Sequence, residues 1–171
     1  MLRVFLLCLL LISLNYNYAY LQEIKSGDRS TNQKIIIRGV AELDLQPLKG
    51  ATIVLYENGK EINIIKTGAD GIFSFELEPN KYYIVEVSKE GFVSKKIAFD
   101  TKLPTNALGT WINEFSISVV KKCDGVDYSA LKDPVDIVRF NDKKRDFDSD
   151  KNHLLKMKDK LEKIQLDYEK C

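Results

Sequence analysis

The sequence is poor in the residues that build catalytic metal sites. It contains a single histidine, His153, among 171 residues. A catalytic zinc usually takes three protein ligands, commonly two histidines and a glutamate, and a serine or cysteine nucleophile needs an adjacent base. We therefore expect no cofactor, no metal and no enzyme activity, and we interpret His153 as a solvated residue near the start of a helix.

The sequence also lacks an excess of charge of one sign. The 26 lysines and arginines are balanced by 25 aspartates and glutamates, which gives a formal net charge of +1. Binding to nucleic acid would require a basic stripe or patch. We therefore expect no nucleic-acid partner.

Long apolar runs are missing except at the N-terminus. Residues 1–3 form a short positive start, residues 4–14 are apolar apart from Ser13, and a polar and aromatic stretch ends at Ala19. This pattern is typical of a secretory signal peptide. It predicts a mature chain that begins at Tyr20, carries no membrane span, and is exported to the periplasm or secreted. The alternative is an uncleaved anchor, although the run is shorter than the ~20 residues that span a bilayer.

An Asn-Gly pair at residues 58–59 predicts a tight β-hairpin, because both positions of a type I′ turn favour positive φ. A two-residue turn would place Leu55 opposite Ile62 and Ile53 opposite Ile64. Side chains of a strand alternate between its two faces. We therefore expect Ile62 and Ile64 to lie on the same buried face as their partners.

The period-two pattern continues along most of the chain. Apolar residues alternate with polar ones in residues 72–77, 81–89 and 111–120, and turn residues separate these segments. Together with residues 35–42 and 93–100 and the hairpin, they predict seven strands of an all-β sandwich. The residues expected to point into its core are Phe73, Phe75, Ile53, Leu55, Val85 and Phe115.

The motifs of residues 34–120 resemble those of the carboxypeptidase regulatory-like domain family. They read PLKGATIVLY, followed by TGADGIFSF and YYIVEVSKEGF. The resemblance implies a seven-stranded antiparallel sandwich of the prealbumin-like fold, and it extends only to the non-catalytic accessory domain of that family. The next segment, GVDYSALKDPV, resembles tails that follow this domain in Gram-negative envelope proteins.

These patterns divide the chain into five segments. We expect a signal peptide in residues 1–19, a flexible leader in 20–33, the sandwich in 34–120, an irregular extension in 121–150, and an amphipathic helix in 151–170.

Three aspartates near the end of the extension are weak calcium candidates. Asp146, Asp148 and Asp150 repeat an oxygen ligand at every second position, as a calcium loop does. Lys151 stands where such a loop needs glycine, and Met157 stands where a bidentate glutamate belongs. The alternative is a solvated acidic stretch, which the dipole at the start of a helix favours.

The predicted helix carries an apolar stripe with alternating spacings of three and four residues. This spacing is typical of a coiled-coil seam, and a helix of this length needs a surface against which to bury the stripe. The surface is either the sandwich of the same chain or another chain. We predict that the helix binds another copy or an envelope protein, while Leu155 and Leu166 lie off the stripe. The residues of the stripe are Leu154, Met157, Leu161, Ile164 and Tyr168.

Two of the three cysteines remain after the predicted cleavage, because Cys8 belongs to the signal peptide. Cys123 and Cys171 would form a disulfide or stay as two free thiols in an oxidising compartment. A bridge requires the two Cα atoms to lie within about 7 Å. The helix would therefore have to run back along the sandwich.

The sequence favours a non-catalytic exported module that acts as a scaffold or protein-interaction domain in the bacterial cell envelope. The alternative is a domain that binds carbohydrate or peptide through exposed aromatic side chains. The aromatic candidates for such a site are Tyr82, Tyr83, Phe92, Phe99 and Trp111.

Overall fold

The computed structural model describes residues 33–171. The predicted signal peptide and the predicted leader up to residue 32 lie outside the described residues. The described chain forms two facing sheets, and it ends in one α-helix. None of its helices is both long and apolar enough to cross a membrane.

The first sheet is built around its longest strand, β1 (Gln33–Leu43). This strand pairs in antiparallel orientation with β2 (Gln46–Pro47) and β5 (Ile72–Leu77), and in parallel orientation with β9 (Gly109–Ser118). In β1, β5 and β9 the side chains alternate between the core and the solvent, as the period-two pattern predicts.

The second sheet has six strands. They are β3 (Thr52–Glu57), β4 (Lys60–Lys66), β6 (Tyr82–Ser88), β8 (Lys95–Asp100), β11 (Asp136–Asn141) and β12 (Asp146–Ser149). Their order in the sheet is β12-β11-β8-β6-β3-β4. A separate two-stranded ladder joins β7 (Phe92–Val93) to β10 (Val120–Lys121).

The hydrophobic core lies between the two sheets. Five of the six residues predicted to point inward are buried, and Phe115 is half-buried with its ring against Phe73 and Phe99. Gly39 is opposite Phe73 in the β1–β5 ladder, and the Phe73 ring occupies the space that a Cβ at Gly39 would need. The alternation of residues 72–77 thus identified the buried face of β5 correctly.

The sheets differ from the predicted antiparallel arrangement in two ladders. β1 pairs with β9 and β8 pairs with β11 in parallel orientation. Tight hairpins join only antiparallel strands, whereas a strand that returns through a long connection is free to lie parallel. Neither of these two pairs is connected by a hairpin, so the turn signals in the sequence carried no information about their direction.

The β3–β4 hairpin has a different register from the predicted one. Ile53 pairs with Ile65, because the register shifts at a bulge after Leu55. As a result Ile62 and Ile64 remain 48% and 52% exposed. The prediction that these two residues are buried is wrong, because one extra residue in a strand exchanges its two faces.

Residues 121–150 are more regular than the predicted irregular extension. They contain a 3-10 helix (Ser129–Lys132) and the strands β11 and β12, which continue the second sheet beyond β8. Val138 and Phe147 bury their side chains in the core. The apolar residues of β11 do not alternate strictly with polar ones, β12 has only four residues, and the pairing of β11 with β8 is non-local.

Candidate functional site

The C-terminal helix, α1 (Lys151–Tyr168), begins at a well-defined cap. One carboxylate oxygen of Asp150 accepts the backbone N–H groups of Asn152 and His153 at 2.9 and 3.3 Å. The other oxygen lies 2.6 Å from Nη2 of Arg139 on β11. Burial alone would raise the pKa of Asp150, but the two N–H groups and the Arg139 charge outweigh it and lower that pKa. Asp150 thus attaches the start of α1 to the second sheet.

His153 adds a second contact at the same end of the helix. Its Nε2 lies 2.8 Å from the carbonyl oxygen of Pro134, and the residue is half-buried. The sequence-based interpretation of His153 as a solvated residue is therefore corrected. The ring packs against the segment that leads into β11.

The far end of the helix is tied to the sandwich by a disulfide. Cys123, which follows β10, is bonded to Cys171, and their Cα atoms lie 6.4 Å apart. The loop closed by this bond spans 48 residues. In the chain-entropy description, a loop of that size corresponds to a stabilisation on the order of 4 kcal/mol.

The predicted apolar stripe of α1 mostly faces the protein itself. The helix contacts β11 and the 3-10 helix. Met157 is only 2% exposed, and Leu161, Ile164 and Tyr168 are half-buried. Leu154, at 39%, is the most exposed residue of the stripe. Met157 is buried within its own chain and is unavailable to a partner, so the stripe chiefly serves intramolecular packing.

The opposite face of α1 exposes the leucines that lie off the stripe. Leu155 is 68% exposed and Leu166 is 59% exposed. They lie about three turns apart on the same side of the helix. A shallow groove of about 440 Å³ runs beside the first of them, lined by Leu154, Leu155, Lys151 and Lys158. We call the face that carries Leu155 and Leu166 the outer face of α1.

Charge is distributed unevenly along this outer face. Along one edge of this face, Lys151 and Lys158 lie in the N-terminal half and Glu162 and Glu169 lie in the C-terminal half, whereas Asp159 lies along the other edge. Lys158 and Glu162 approach each other at 3.7 Å, and both side chains are more than half exposed. The edge that carries these lysines and glutamates is therefore basic at one end and acidic at the other, and the outer face carries an exposed leucine in each half.

The three aspartates considered as calcium ligands have other contacts. Asp146 accepts the N–H of Phe147 at 2.8 Å, Asp148 lies 2.6 Å from Nζ of Lys144, and Asp150 caps the helix. The bond to Lys144 is the main reason why the pKa of Asp148 is lowered. Within residues 33–171, no group of three or more histidine, cysteine or acidic residues is arranged to hold a metal ion.

The five aromatic candidates do not form one exposed surface. Tyr83 and Phe99 are buried, and Phe92 is half-buried. The half-buried Trp111 packs edge-on against Phe140 and Phe147, and its indole N–H donates to the carbonyl of Arg145 at 3.3 Å. Tyr82 is the most exposed of the five, at 37%.

A separate cleft lies close to Tyr82. Tyr82 pairs with Asp100 on the neighbouring strand, and Asp100 pairs with Arg139 on the next. The cleft has a volume of about 440 Å³, and its lining carries charges of both signs. Its lining residues are Asp100, Lys102, Leu103, Pro104, Arg139, Phe140 and Asp142.

Comparison with known families supports the fold assignment. Residues 33–111, a little under half of the chain, match the family model described as "SpaA: Prealbumin-like fold domain". The prealbumin-like β-sandwich expected from the sequence is therefore confirmed. The match does not confirm the carboxypeptidase regulatory-like family, which the motifs resemble. No curated protein matches the chain.

Solved structures with a similar fold include proteins of different kinds. The Bacillus anthracis TIE protein is 22% identical, with a TM-score of 0.41, and the match covers 52% of this chain and 17% of that protein. The 5-hydroxyisourate hydrolase of Klebsiella pneumoniae is 16% identical, with a TM-score of 0.35, over 52% of this chain and 99% of the hydrolase. The group B streptococcus pilus 2b backbone protein is 15% identical, with a TM-score of 0.34, and the match covers 53% of this chain and 42% of the pilus protein. Similarity at this level carries no argument about function.

Proposed function

We propose that this chain is an exported, non-catalytic scaffold module of the bacterial cell envelope, and that it associates with protein through α1. One observation carries this proposal. The helix is attached at its start through Asp150 and Arg139 and at its end through the Cys123–Cys171 disulfide, yet it keeps Leu155 in solvent. A helix that only covered the sandwich would gain nothing from an exposed leucine face.

The attachment of α1 matters because it reduces the cost of binding. A surface that is already ordered loses less conformational entropy when a partner docks. With a tie at each end, the outer face is held in one orientation on the second sheet. The sandwich is thus the scaffold, and α1 is the surface that it presents.

Export is supported by two independent features of the chain. Residues 1–19 have the pattern of a signal peptide. Disulfides persist in oxidising compartments such as the periplasm, and Cys123 lies within bonding distance of Cys171. N-terminal sequencing of the protein from an envelope fraction tests the proposal. A chain that begins at Tyr20 supports it, and an intact Met1 on cytoplasmic protein overturns it.

The role of the outer face is tested by cross-linking in intact cells. We expect the wild-type chain to form a cross-linked complex that the double variant Leu155→Lys/Leu166→Lys fails to form. Leu108→Lys is the matched control, because Leu108 is 70% exposed and lies in the loop before β9. Equal complexes from all three proteins, or none from the wild type, would contradict an association role for α1.

A second candidate function is the binding of a carbohydrate or peptide in the cleft beside Tyr82. The exposed ring of Tyr82 and the neighbouring charges of both signs favour this possibility. Titration of soluble cell-wall saccharides and peptides, followed by NMR, tests it. Binding would shift the resonances of Asp100 and Arg139 in the wild type and would be weakened in Tyr82→Ala, whereas unchanged spectra would exclude these ligands.

A further inference from the structure

The outer face of α1 has a pattern that is complementary to itself. We propose that the protein which docks there is a second copy of this chain, with the two α1 helices packed antiparallel through their outer faces. This inference rests on the proposed role of α1 in association and adds the identity of the partner. It concerns Leu155 and Leu166, and not the buried stripe around Met157.

Antiparallel pairing brings the two exposed leucines together. Two helices related by a twofold axis between residues 160 and 161 place Leu155 of one copy near Leu166 of the other, and the reverse contact follows from symmetry. Both leucines are more than half exposed in the single chain. Each therefore gains an apolar neighbour that the monomer does not supply.

The same alignment places opposite charges next to each other. Lys158 of one copy comes close to Glu162 of the second copy, and Lys151 comes close to Glu169. The twofold axis makes each of these pairs occur twice. A parallel pairing would instead place Lys158 against Lys158 and Glu162 against Glu162. The charge pattern thus selects the antiparallel arrangement.

The size of the surface predicts a weak complex. Stable interfaces usually bury at least about 1,200 Å² in total, and two leucines with flanking charges on each copy supply only part of such an area. Exposed ion pairs contribute little individually and are screened by salt. We therefore expect a dimer that forms at high protein concentration, such as a crowded envelope provides, and that weakens as salt is added.

Charge reversal gives a sharp test on the purified mature chain. In Lys158→Glu and in Glu162→Lys, every copy carries like charges at both positions, so each variant alone should dimerise at least about tenfold more weakly than wild type. A mixture of the two variants restores opposite charges across the interface and should form heterodimers. The double variant Lys158→Glu/Glu162→Lys should regain the homodimer. Lys49→Glu, an exposed lysine in the loop before β3, is the control for net charge.

Analytical ultracentrifugation of these proteins decides the question. Recovery of dimers in the mixture cannot come from a more stable helix, because both single variants lose the Lys158–Glu162 contact within their own helix. Circular dichroism should show the same melting temperature for all variants within a few degrees. A monomeric wild type at millimolar concentration, or single variants that dimerise as well as wild type, would overturn the proposal.

Failure of self-pairing is distinguishable from failure of the proposed function. If the purified chain stays monomeric while Leu155→Lys/Leu166→Lys still abolishes a cross-linked complex in cells, α1 binds a different protein and only the dimer is refuted. If neither experiment shows association, the role of α1 fails as well.

Discussion

The sandwich and the C-terminal helix are held in the fold by different means. The sandwich has a continuous core, in which Ile37, Ile53 and Val85 are inaccessible to solvent. The helix buries Met157 and depends on contacts at its two ends, the Asp150–Arg139 ion pair and the Cys123–Cys171 disulfide. An element attached in this way can leave a large share of its surface free, and α1 does so with its outer face.

The first prediction tests how much the core between the two sheets contributes to the stability of the fold. Phe73→Ala removes a side chain that is 3% exposed and contacts Phe75 and Phe115. Truncation of a buried phenylalanine usually lowers the free energy of unfolding by about 3–5 kcal/mol, which is a large part of a typical total of ~5–15 kcal/mol. We expect the largest loss of this series, measured by urea denaturation.

The neighbouring residue on β5 provides the control. Ser74 points away from the core, although its hydroxyl donates to the carbonyl of Ile37 at 3.0 Å. Loss of one such hydrogen bond costs about 1 kcal/mol, so Ser74→Ala should lower stability far less than Phe73→Ala. Equal losses for the two variants would contradict the assignment of the two faces of β5.

The second prediction concerns the attachment at the end of the helix. Cys171→Ser opens the 48-residue loop, and loss of a disulfide of this kind typically lowers the free energy of unfolding by about 2–4 kcal/mol. Thermal unfolding of the variant and of the wild type, each with and without reductant, measures the effect. Reductant should destabilise the wild type and leave Cys171→Ser unchanged. Two reactive thiols in the denatured, unreduced mature wild type would refute the bridge.

The third prediction concerns the attachment at the start of the helix. The folded chain lowers the pKa of Asp150, so its carboxylate stabilises the fold above the ordinary aspartate pKa of about 3.9, and this contribution is lost as the pH falls through the folded value. Asp150→Asn keeps a residue that caps helices well but removes the charge beside Arg139. We expect the variant to be less stable than wild type at neutral pH and to approach it at low pH.

Thermal melting at a series of pH values measures this effect. Asp44→Asn serves as the control, because Asp44 lies in the turn between β1 and β2 and has no such pair among the described contacts. A stability difference between Asp150→Asn and wild type that stays constant down to low pH would show that the charge of Asp150 does not support the fold.

Sequence patterns predicted the strands of residues 34–120 better than they predicted β11 and β12, for physical reasons. Alternation in β5 and β6 reports directly on one buried face, which is why Phe73 and Val85 were identified correctly. The register of the β3–β4 hairpin was predicted wrongly because a bulge after Leu55 places Ile65, and not Ile64, opposite Ile53, although polar Asn63 then lies opposite Leu55. β11 and β12 were missed because the apolar residues of β11 do not alternate strictly, β12 has only four residues, and the pairing of β11 with β8 is non-local.

The helix was predicted, but the surface that its stripe packs against was not. A stripe with coiled-coil spacing indicates that one face is buried, and Met157 is buried as that pattern requires. It does not say whether the buried face contacts the same chain or another. That choice depends on the positions of Arg139 and Cys123 in three dimensions, which no local pattern reveals.

The most direct test of the account is native-state hydrogen exchange of α1 in two matched variants, Met157→Lys and Leu155→Lys. Both replace an apolar residue of the same helix by lysine, and they differ only in the face that they alter. We predict that Met157→Lys accelerates amide exchange throughout Lys151–Tyr168 and leaves β5 and β6 protected, whereas Leu155→Lys leaves exchange in α1 as in wild type. Equal acceleration in both variants, or acceleration in Leu155→Lys alone, would contradict the division of α1 into a packed face and a free outer face.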